Sequence, residues 1–151
     1  MKNARPLNSR HIFLLIVAAG FLVYARTLFF GCTYLDDSIL ILQAKSFLAN
    51  PLNIVTSFKQ GIFYNQPDNV FYYRPILTVS FILHELVCNF LPFIYRFTNS
   101  FLHVFAGCLV FLLFRKLRYK QPFAFITAMV FTVHPALSQA VAWLPGRNDS
   151  L

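Results

Sequence analysis

The sequence is short of acidic residues and of charge altogether. Only five of its 151 residues are Asp or Glu, and charged residues make up 12% of the chain. A soluble domain normally carries about 25% charged residues. Because 58% of the residues are hydrophobic, the chain has too little polar surface to cover a soluble fold. The composition therefore predicts an integral membrane protein.

Motifs with a known chemistry are also missing. The chain has no Gly-rich phosphate loop, no HExxH motif and no Cys pair with metal-ligand spacing. Its three cysteines, Cys32, Cys88 and Cys108, give no even-numbered disulfide framework. A Cys32–Cys88 disulfide stays open, and Cys108 is interpreted as a packing residue. We predict no metal site and no cofactor, and leave a role for a divalent metal open.

The basic residues are clustered, although the net charge is +8. They form two main groups, each beside a long apolar segment: Lys2, Arg5 and Arg10, and then Arg115, Lys116, Arg118 and Lys120. Such groups are typical of the cytoplasmic loops of membrane proteins. A nucleic-acid ligand would require a basic stripe instead, so membrane lipids are the predicted partners and nucleic acid is not.

Three apolar segments are long enough to cross a membrane, and they cover residues 12–30, 97–114 and 123–144. The first would reach roughly 28 Å at about 1.5 Å per residue. A proline at 135 predicts a kink in the third. The predicted fold is all-α and polytopic, with residues 1–11 in the cytoplasm and a membrane domain over 12–151.

Two shorter helices are predicted in the first extracytoplasmic loop, over residues 37–49 and 75–90. Both are interpreted as lying in the membrane interface. The second could instead span the membrane, but the basic group at 115–120 would then lie outside. The positive-inside rule therefore favours an interfacial helix. This topology places Asp36, Arg74 and the segment from Arg147 to Asp149 on the extracytoplasmic face.

The adjacent acids Asp36 and Asp37 are the strongest candidates for chemistry. They follow the first span at the water–lipid boundary, where a carboxylate could act as a general base. The alternative is that they start and cap the next helix. Consecutive side chains diverge, so we expect Asp36 to face a pocket and Asp37 to be a cap or a second contact.

Arg74 is the candidate phosphate-binding residue. A guanidinium binds phosphate in a bidentate manner, and the amino end of the helix from Pro75 adds positive potential. The alternative is an anchor to lipid headgroups, which is also how Arg96 is interpreted.

Five further polar residues lie in or near the second and third spans. Asn99 and His103 share one helix face, and His103 and His134 fall at similar depths, so a contact between these spans is expected. A functional role is one interpretation, but interhelical hydrogen bonding is the favoured one. Arg147 and Asp149 are placed in an outer turn as secondary polar residues.

The ordered set of motifs resembles a known family. The set runs from Asp36-Asp37 through Tyr73-Arg74-Pro75 and Tyr95-x-x-x-Asn99-x-x-x-His103 to His134-Pro135, Gln139-Ala140-Val141 and Gly146-Arg147-Asn148-Asp149. From about Ile12 onward the chain is similar to the N-terminal part of GT-C glycosyltransferases. The match is to protein O-mannosyltransferase-like proteins of the TMTC type, which carry tetratricopeptide repeats.

The resemblance implies transfer of a sugar from a polyprenyl-phosphate donor to a protein or glycan hydroxyl on the extracytoplasmic face. It gives Asp36, with Asp37 beside it, the role of base and Arg74 that of phosphate ligand. The chain departs from the family pattern at two positions, which affects the details of the pocket. Relatives often have an acid at the position of Gln139, and many have His at the position of Arg96. The chain resembles a fragment that alone would be inactive.

Two functions remain open at the level of sequence. The first is the enzyme, with the full-length protein catalysing the transfer. The second is a non-catalytic membrane anchor or scaffold for a repeat domain. A bacterial inner membrane is the expected location, with the endoplasmic reticulum membrane as the alternative.

Overall fold

The structure is a computed structural model, and it describes residues 8–33, 36–64 and 72–151. These residues form helices and irregular connections without a strand, which confirms the predicted all-α fold. The α-helices are α1 Ser9–Tyr24, α2 Lys45–Leu48, α3 Asn53–Ser57, α4 Pro75–Cys88, α5 Pro92–Lys116, α6 Gln121–Val133 and α7 Ser138–Ala142. A π-turn covers Ser38–Leu42, and 3-10 turns cover Ala25–Phe29, Pro135–Leu137 and Pro145–Asp149.

Two helical segments are long and apolar enough to cross a membrane, and a bent pair adds a third. The first two are Ser9–Phe29 and Pro92–Lys116. The third consists of α6 and the segment Pro135–Ala142, which meet at 50°. Pro135 ends α6 because it has no N–H to donate and its ring restricts the preceding residue. The predicted break at His134-Pro135 is therefore confirmed.

Helices α1, α5 and α6 pack together through small residues and a short apolar core. The core residues of this bundle are Ile12, Ile16, Phe111, Ala124 and Ala128. A Cβ atom at Gly107 would overlap Thr132 Oγ1, and one at Gly20 would lie 2.9 Å from Thr132 Cγ2. The absence of side chains at these glycines therefore allows all three helices to approach Thr132 closely.

A second core lies beside the bundle and is built around α4. Its buried residues come from the π-turn, α2, α4, α5 and the segments that connect the helices, and are Leu40, Ile41, Ala44, Leu48, Ile62, Leu77, Phe81, Ile82, Tyr95 and Leu144. The predicted helix over 37–49 is interrupted at 43–44, between the π-turn and α2. Helix α4 has 14 residues and ends before Asn89, whose φ of 51° breaks the helix.

Candidate functional site

A cavity of about 280 Å³ lies between the segment after the first span, the amino end of α4 and the segment after α7. Two of its lining residues are charged and the others are apolar or aromatic. The lining residues are Asp36, Leu40, Ile62, Phe63, Tyr72, Arg74, Trp143 and Pro145. The cavity thus combines one carboxylate, one guanidinium and three aromatic rings.

The structure places the two adjacent acids in different environments. Asp36 lines the cavity and is half-buried. Asp37 is 0% exposed, and its Oδ2 accepts a hydrogen bond of 2.9 Å from the backbone N–H of Thr33. Asp37 makes no capping hydrogen bond to the π-turn that follows it. The two side chains diverge as expected, but Asp37 holds the preceding loop instead of the next helix.

Arg74 lines the same cavity as Asp36 and immediately precedes α4. Its backbone carbonyl accepts hydrogen bonds from the N–H and hydroxyl of Thr78, at 3.2 Å each. Pro75 occupies the first turn of α4, and Arg74 makes no capping hydrogen bond with its side chain. The positive end of α4 and the Arg74 guanidinium therefore lie at one side of the cavity.

The aromatic wall of the cavity comes from chain segments far apart in sequence. Phe63 and Tyr72 contact each other edge to face, with ring centroids 5.9 Å apart. Ile62 donates its N–H to the carbonyl of Tyr72 at 2.8 Å, which holds this part of the wall together. Trp143 and Pro145, which follow α7, line the cavity as well.

Asn99 and His103 lie on one face of α5, as predicted, and both are buried. The Asn99 side-chain amide donates to the carbonyls of Trp143 and Leu144 at 3.0 and 3.2 Å. The His103 Nε2 atom lies 3.1 Å from the carbonyl of Thr132. The expected polar contact between the second and third spans therefore exists, and it supports helix packing.

His134 does not take part in that contact. Its ring is exposed, and its Nδ1 accepts a hydrogen bond of 3.2 Å from the N–H of Ala136. The expected pairing of His103 with His134 is wrong, because the break before Pro135 turns this residue outward and leaves its ring to cap the next turn. The carbonyl of Thr132 is the partner of His103 instead.

Arg147 is buried at 1% exposure, whereas Asp149 is exposed. The Arg147 Nε donates to Asn99 Oδ1 at 2.8 Å. The terminal nitrogens of Arg147 donate to the Ser80 hydroxyl and to the Tyr95 carbonyl, at 3.2 Å each. Burial lowers the pKa of Arg147 to about 10, so the group stays charged at neutral pH. Arg147 therefore ties its own segment to α4 and α5.

Arg96 was interpreted as a headgroup anchor, and this interpretation is wrong. The side chain is 1% exposed. Its Nε donates to the carbonyl of Phe30 at 3.1 Å, and one terminal nitrogen donates to Gly31 at 2.5 Å. The other terminal nitrogen donates to the carbonyl of Ala142. Its side chain thus donates to three carbonyls, two directly after the first span and one at the end of α7.

The remaining sequence candidates have plainer environments. Gln139 is exposed and does not line the cavity. All three cysteines are free, so Cys32 and Cys88 form no disulfide. Among the described residues, no three His, Cys, Asp or Glu side chains are grouped closely enough to hold a metal ion.

These features define a class before any relative is considered. The described part of the chain is all-helical, with two helices, or three with the bent pair, that are long and apolar enough to span a membrane, and it carries an acid and an arginine in one cavity.

Comparison with known proteins then gives the relatives of the chain. The chain is 32% identical to Protein O-mannosyl-transferase Tmtc1 of Drosophila melanogaster over 133 residues. This region covers 87% of this chain and 16% of that protein. It is 35% identical over 80 residues to TMTC1 of Mus musculus, covering 52% of this chain and 8% of that protein. It is 28% identical over 141 residues to TMTC3 of Mus musculus, covering 91% and 15% respectively.

The chain is a homologue of the TMTC-type protein O-mannosyl-transferases, which confirms the resemblance seen in its motifs. The matched part spans only 8–16% of the length of these relatives. No protein-family model matches the chain, and no solved structure is similar to it.

Proposed function

We propose that the chain forms the donor-side part of an integral-membrane glycosyltransferase. The enzyme would move a mannosyl group from a polyprenyl-phosphate donor to a protein hydroxyl on the extracytoplasmic face. The sugar and the acceptor follow the names of the relatives, which are protein O-mannosyl-transferases. Asp36 is the proposed general base, and Arg74 is the proposed ligand of the donor phosphate.

The observation that carries this proposal is the presence of Asp36 and Arg74 in one cavity. Glycosyl transfer from a phosphate needs a base for the hydroxyl and positive charge for the leaving group. Arg74 adds its charge to the amino end of α4. The rings of Phe63, Tyr72 and Trp143 provide flat apolar surfaces for the C–H faces of a sugar.

The proposed step is a single displacement at the anomeric carbon. The Asp36 carboxylate accepts the proton of the acceptor hydroxyl while the hydroxyl oxygen forms a bond to that carbon. The bond between the carbon and the phosphate oxygen breaks, and both of its electrons leave with the polyprenyl phosphate. Arg74 stabilises the negative charge that develops on the phosphate, and a proton remains on Asp36.

We propose that the cavity faces the extracytoplasmic side and that the N-terminus is cytoplasmic. The exposed basic group Arg115, Lys116, Arg118 and Lys120 ends α5 on the opposite side of the bundle from the cavity and supports this orientation. The relatives compared here are animal proteins, which do not support the expected bacterial inner membrane. We propose the endoplasmic reticulum membrane instead.

The decisive experiment measures transfer of labelled mannose from a polyprenyl-phosphate donor in membranes that contain the complete enzyme of which this chain would form part. Asp36→Asn is expected to lower kcat by roughly 10²-fold or more, since general-base catalysis contributes about that much. Arg74→Gln is expected to lower kcat/KM for the donor by roughly 10²-fold. Asp149→Asn and Arg26→Gln change the same residue types at exposed positions and serve as matched controls.

The same variants distinguish the enzyme from a scaffold. A membrane anchor for a repeat domain depends on its spans and does not require Asp36 or Arg74. Wild-type transfer by Asp36→Asn, at an equal amount of inserted protein, would refute the proposed base. Equal losses in the two control variants would show that the assay reports general damage.

A further inference from the structure

The loop between the first span and Asp36 is held from two sides. Arg96 donates to the carbonyls of Phe30 and Gly31 at 3.1 and 2.5 Å. Asp37 accepts from the N–H of Thr33 at 2.9 Å. The guanidinium of Arg96 also lies 5.8 Å from the centre of the Phe30 ring. The backbone that leads into Asp36 is thus held by one buried cation and one buried anion.

The second wall of the cavity is held by the same turn of α5. Arg96 donates to the carbonyl of Ala142, the last residue of α7. Asn99, three residues further along α5, donates to the carbonyls of Trp143 and Leu144. Carbonyls at the end of a helix have no partner within it, and cationic donors there are favourable. Arg96 therefore reaches the chain directly before Trp143.

Asp37 and Arg96 also share an electrostatic environment. Both are almost fully buried, and each affects the thiol of Cys32. Burial raises the pKa of Cys32, the charge of Asp37 raises it further, and the charge of Arg96 lowers it. Among the residues that the structure describes, Asp37 Oδ1 has no hydrogen-bond partner. A buried carboxylate is costly without positive charge nearby, and the charge of Arg96 interacts with that of Asp37.

We propose that Arg96 and Asp37 form a positioning pair that sets the distance between the two walls of the cavity, the wall of Asp36 and the wall of Trp143. In this arrangement the adjacent acids divide their roles. Asp36 faces the cavity, whereas Asp37 balances the charge of Arg96 and holds the loop. Neither member of the pair touches the substrate.

The pair bears on catalysis only if the cavity performs the transfer proposed above. Its test therefore uses the shape of the cavity and no activity measurement. A negative result would leave the proposed function standing, and failure of the transferase assay would leave the pair standing.

The first readout is the fluorescence of Trp143, the one tryptophan in the chain. Arg96→Gln frees the carbonyl before Trp143, so acrylamide quenching of the purified protein in detergent should increase about twofold. Arg96→Lys keeps the charge but loses the planar set of donors, so it should restore only part of the protection. Arg26→Gln removes an exposed arginine and should leave quenching unchanged.

The second readout is alkylation of Cys32 against pH in a Cys88→Ser, Cys108→Ser background. Asp37→Asn removes a charge that raises the pKa of Cys32, so the reaction should become about threefold faster at pH 8. Arg96→Gln removes a charge that lowers this pKa, so the reaction should become slower by a similar factor. Asp149→Asn is the matched control and should change nothing.

Opposite shifts of Cys32 reactivity, together with increased quenching of Trp143, support the pair. Simple unfolding would accelerate alkylation in both variants. Shifts in the same direction, or quenching in Arg96→Gln equal to that of the wild type, would overturn the proposal. If Arg96→Gln does not insert into the membrane, Asp37→Asn and Arg96→Lys provide the test. An unchanged rate of Cys32 alkylation in Asp37→Asn, together with wild-type quenching of Trp143 in Arg96→Lys, would reject the proposal.

Discussion

Thr132 is the point where the three long helices approach one another, and one added methyl group tests this packing. Its Oγ1 faces Gly107 on α5, and its Cγ2 faces Gly20 on α1. The hydroxyl also donates to the carbonyl of Ala128 at 2.8 Å. Rotation of the side chain to avoid a methyl group at Gly107 would break this hydrogen bond and shift Cγ2 from its place beside Gly20.

The substitution Gly107→Ala brings two opposing effects. Alanine is favoured over glycine inside a helix by about 1 kcal/mol. Overpacking of a well-packed site costs about 1–3 kcal/mol. We therefore expect Gly107→Ala to lower the free energy of unfolding by about 0–2 kcal/mol, against a gain of about 1 kcal/mol if the site were open.

Removal of the obstructing atoms should reverse the effect. In a Thr132→Ala background the methyl group at position 107 meets no hydroxyl, so Gly107→Ala should stabilise the protein. The double-mutant cycle should give a coupling energy of about 1–3 kcal/mol, within the range for residues in contact. Gly31→Ala is the control, because a Cβ atom there meets nothing within 4 Å.

Equilibrium unfolding in mixed micelles, titrated with SDS and followed by circular dichroism, provides the measurement. All four proteins of the cycle need to unfold reversibly over the same range of detergent. A coupling energy of zero, with Gly107→Ala more stable than the wild type, would show that the three helices do not meet at Thr132.

Three further predictions concern charge. Burial and, to a smaller extent, the charge of Arg147 lower the pKa of His84 to about 4. Because His in the unfolded chain takes up a proton near pH 6.5, the free energy of unfolding should decrease as the pH falls from 6.5 to about 4, and it should decrease less in His84→Gln. Arg147→Met should cost about 1–3 kcal/mol, since it leaves the buried Asn99 Oδ1 without its donor, whereas Arg26→Met should have little effect in the same unfolding titration. In a cysteine-free background, Asp149→Cys should react with an impermeant maleimide on the extracytoplasmic side and Lys116→Cys only after permeabilisation; the reverse pattern would refute the proposed topology.

The features that sequence reasoning found are those that depend on local pattern. Apolar length gave the candidate spans, and the proline at 135 gave the break. The four-residue spacing of Asn99 and His103 correctly placed both on one buried face. Such properties follow from helix geometry alone, and they hold wherever the helix packs.

The cavity could be predicted only in part from the sequence. Topology placed Asp36 and Arg74 on one face of the membrane, and the structure puts both in one cavity. The contribution of Trp143 could not be foreseen, because it depends on how α7 folds back after the break. Arg96 was missed for a similar reason: the Gly31 carbonyl that it binds is 65 residues away, and basic residues near span ends are normally exposed to headgroups.

The burial of Arg96 has a physical cause that follows from the broken helices. A membrane protein has to satisfy each interrupted carbonyl internally, because lipid offers no donors. Arg96 binds carbonyls after the end of the first span and at the end of α7. The guanidinium carries five N–H donors, so one side chain can donate to the carbonyls of several segments. Buried arginines without a carboxylate at hydrogen-bond distance are therefore expected where short helices meet, and their loss should disturb the cavity walls before it unfolds the bundle.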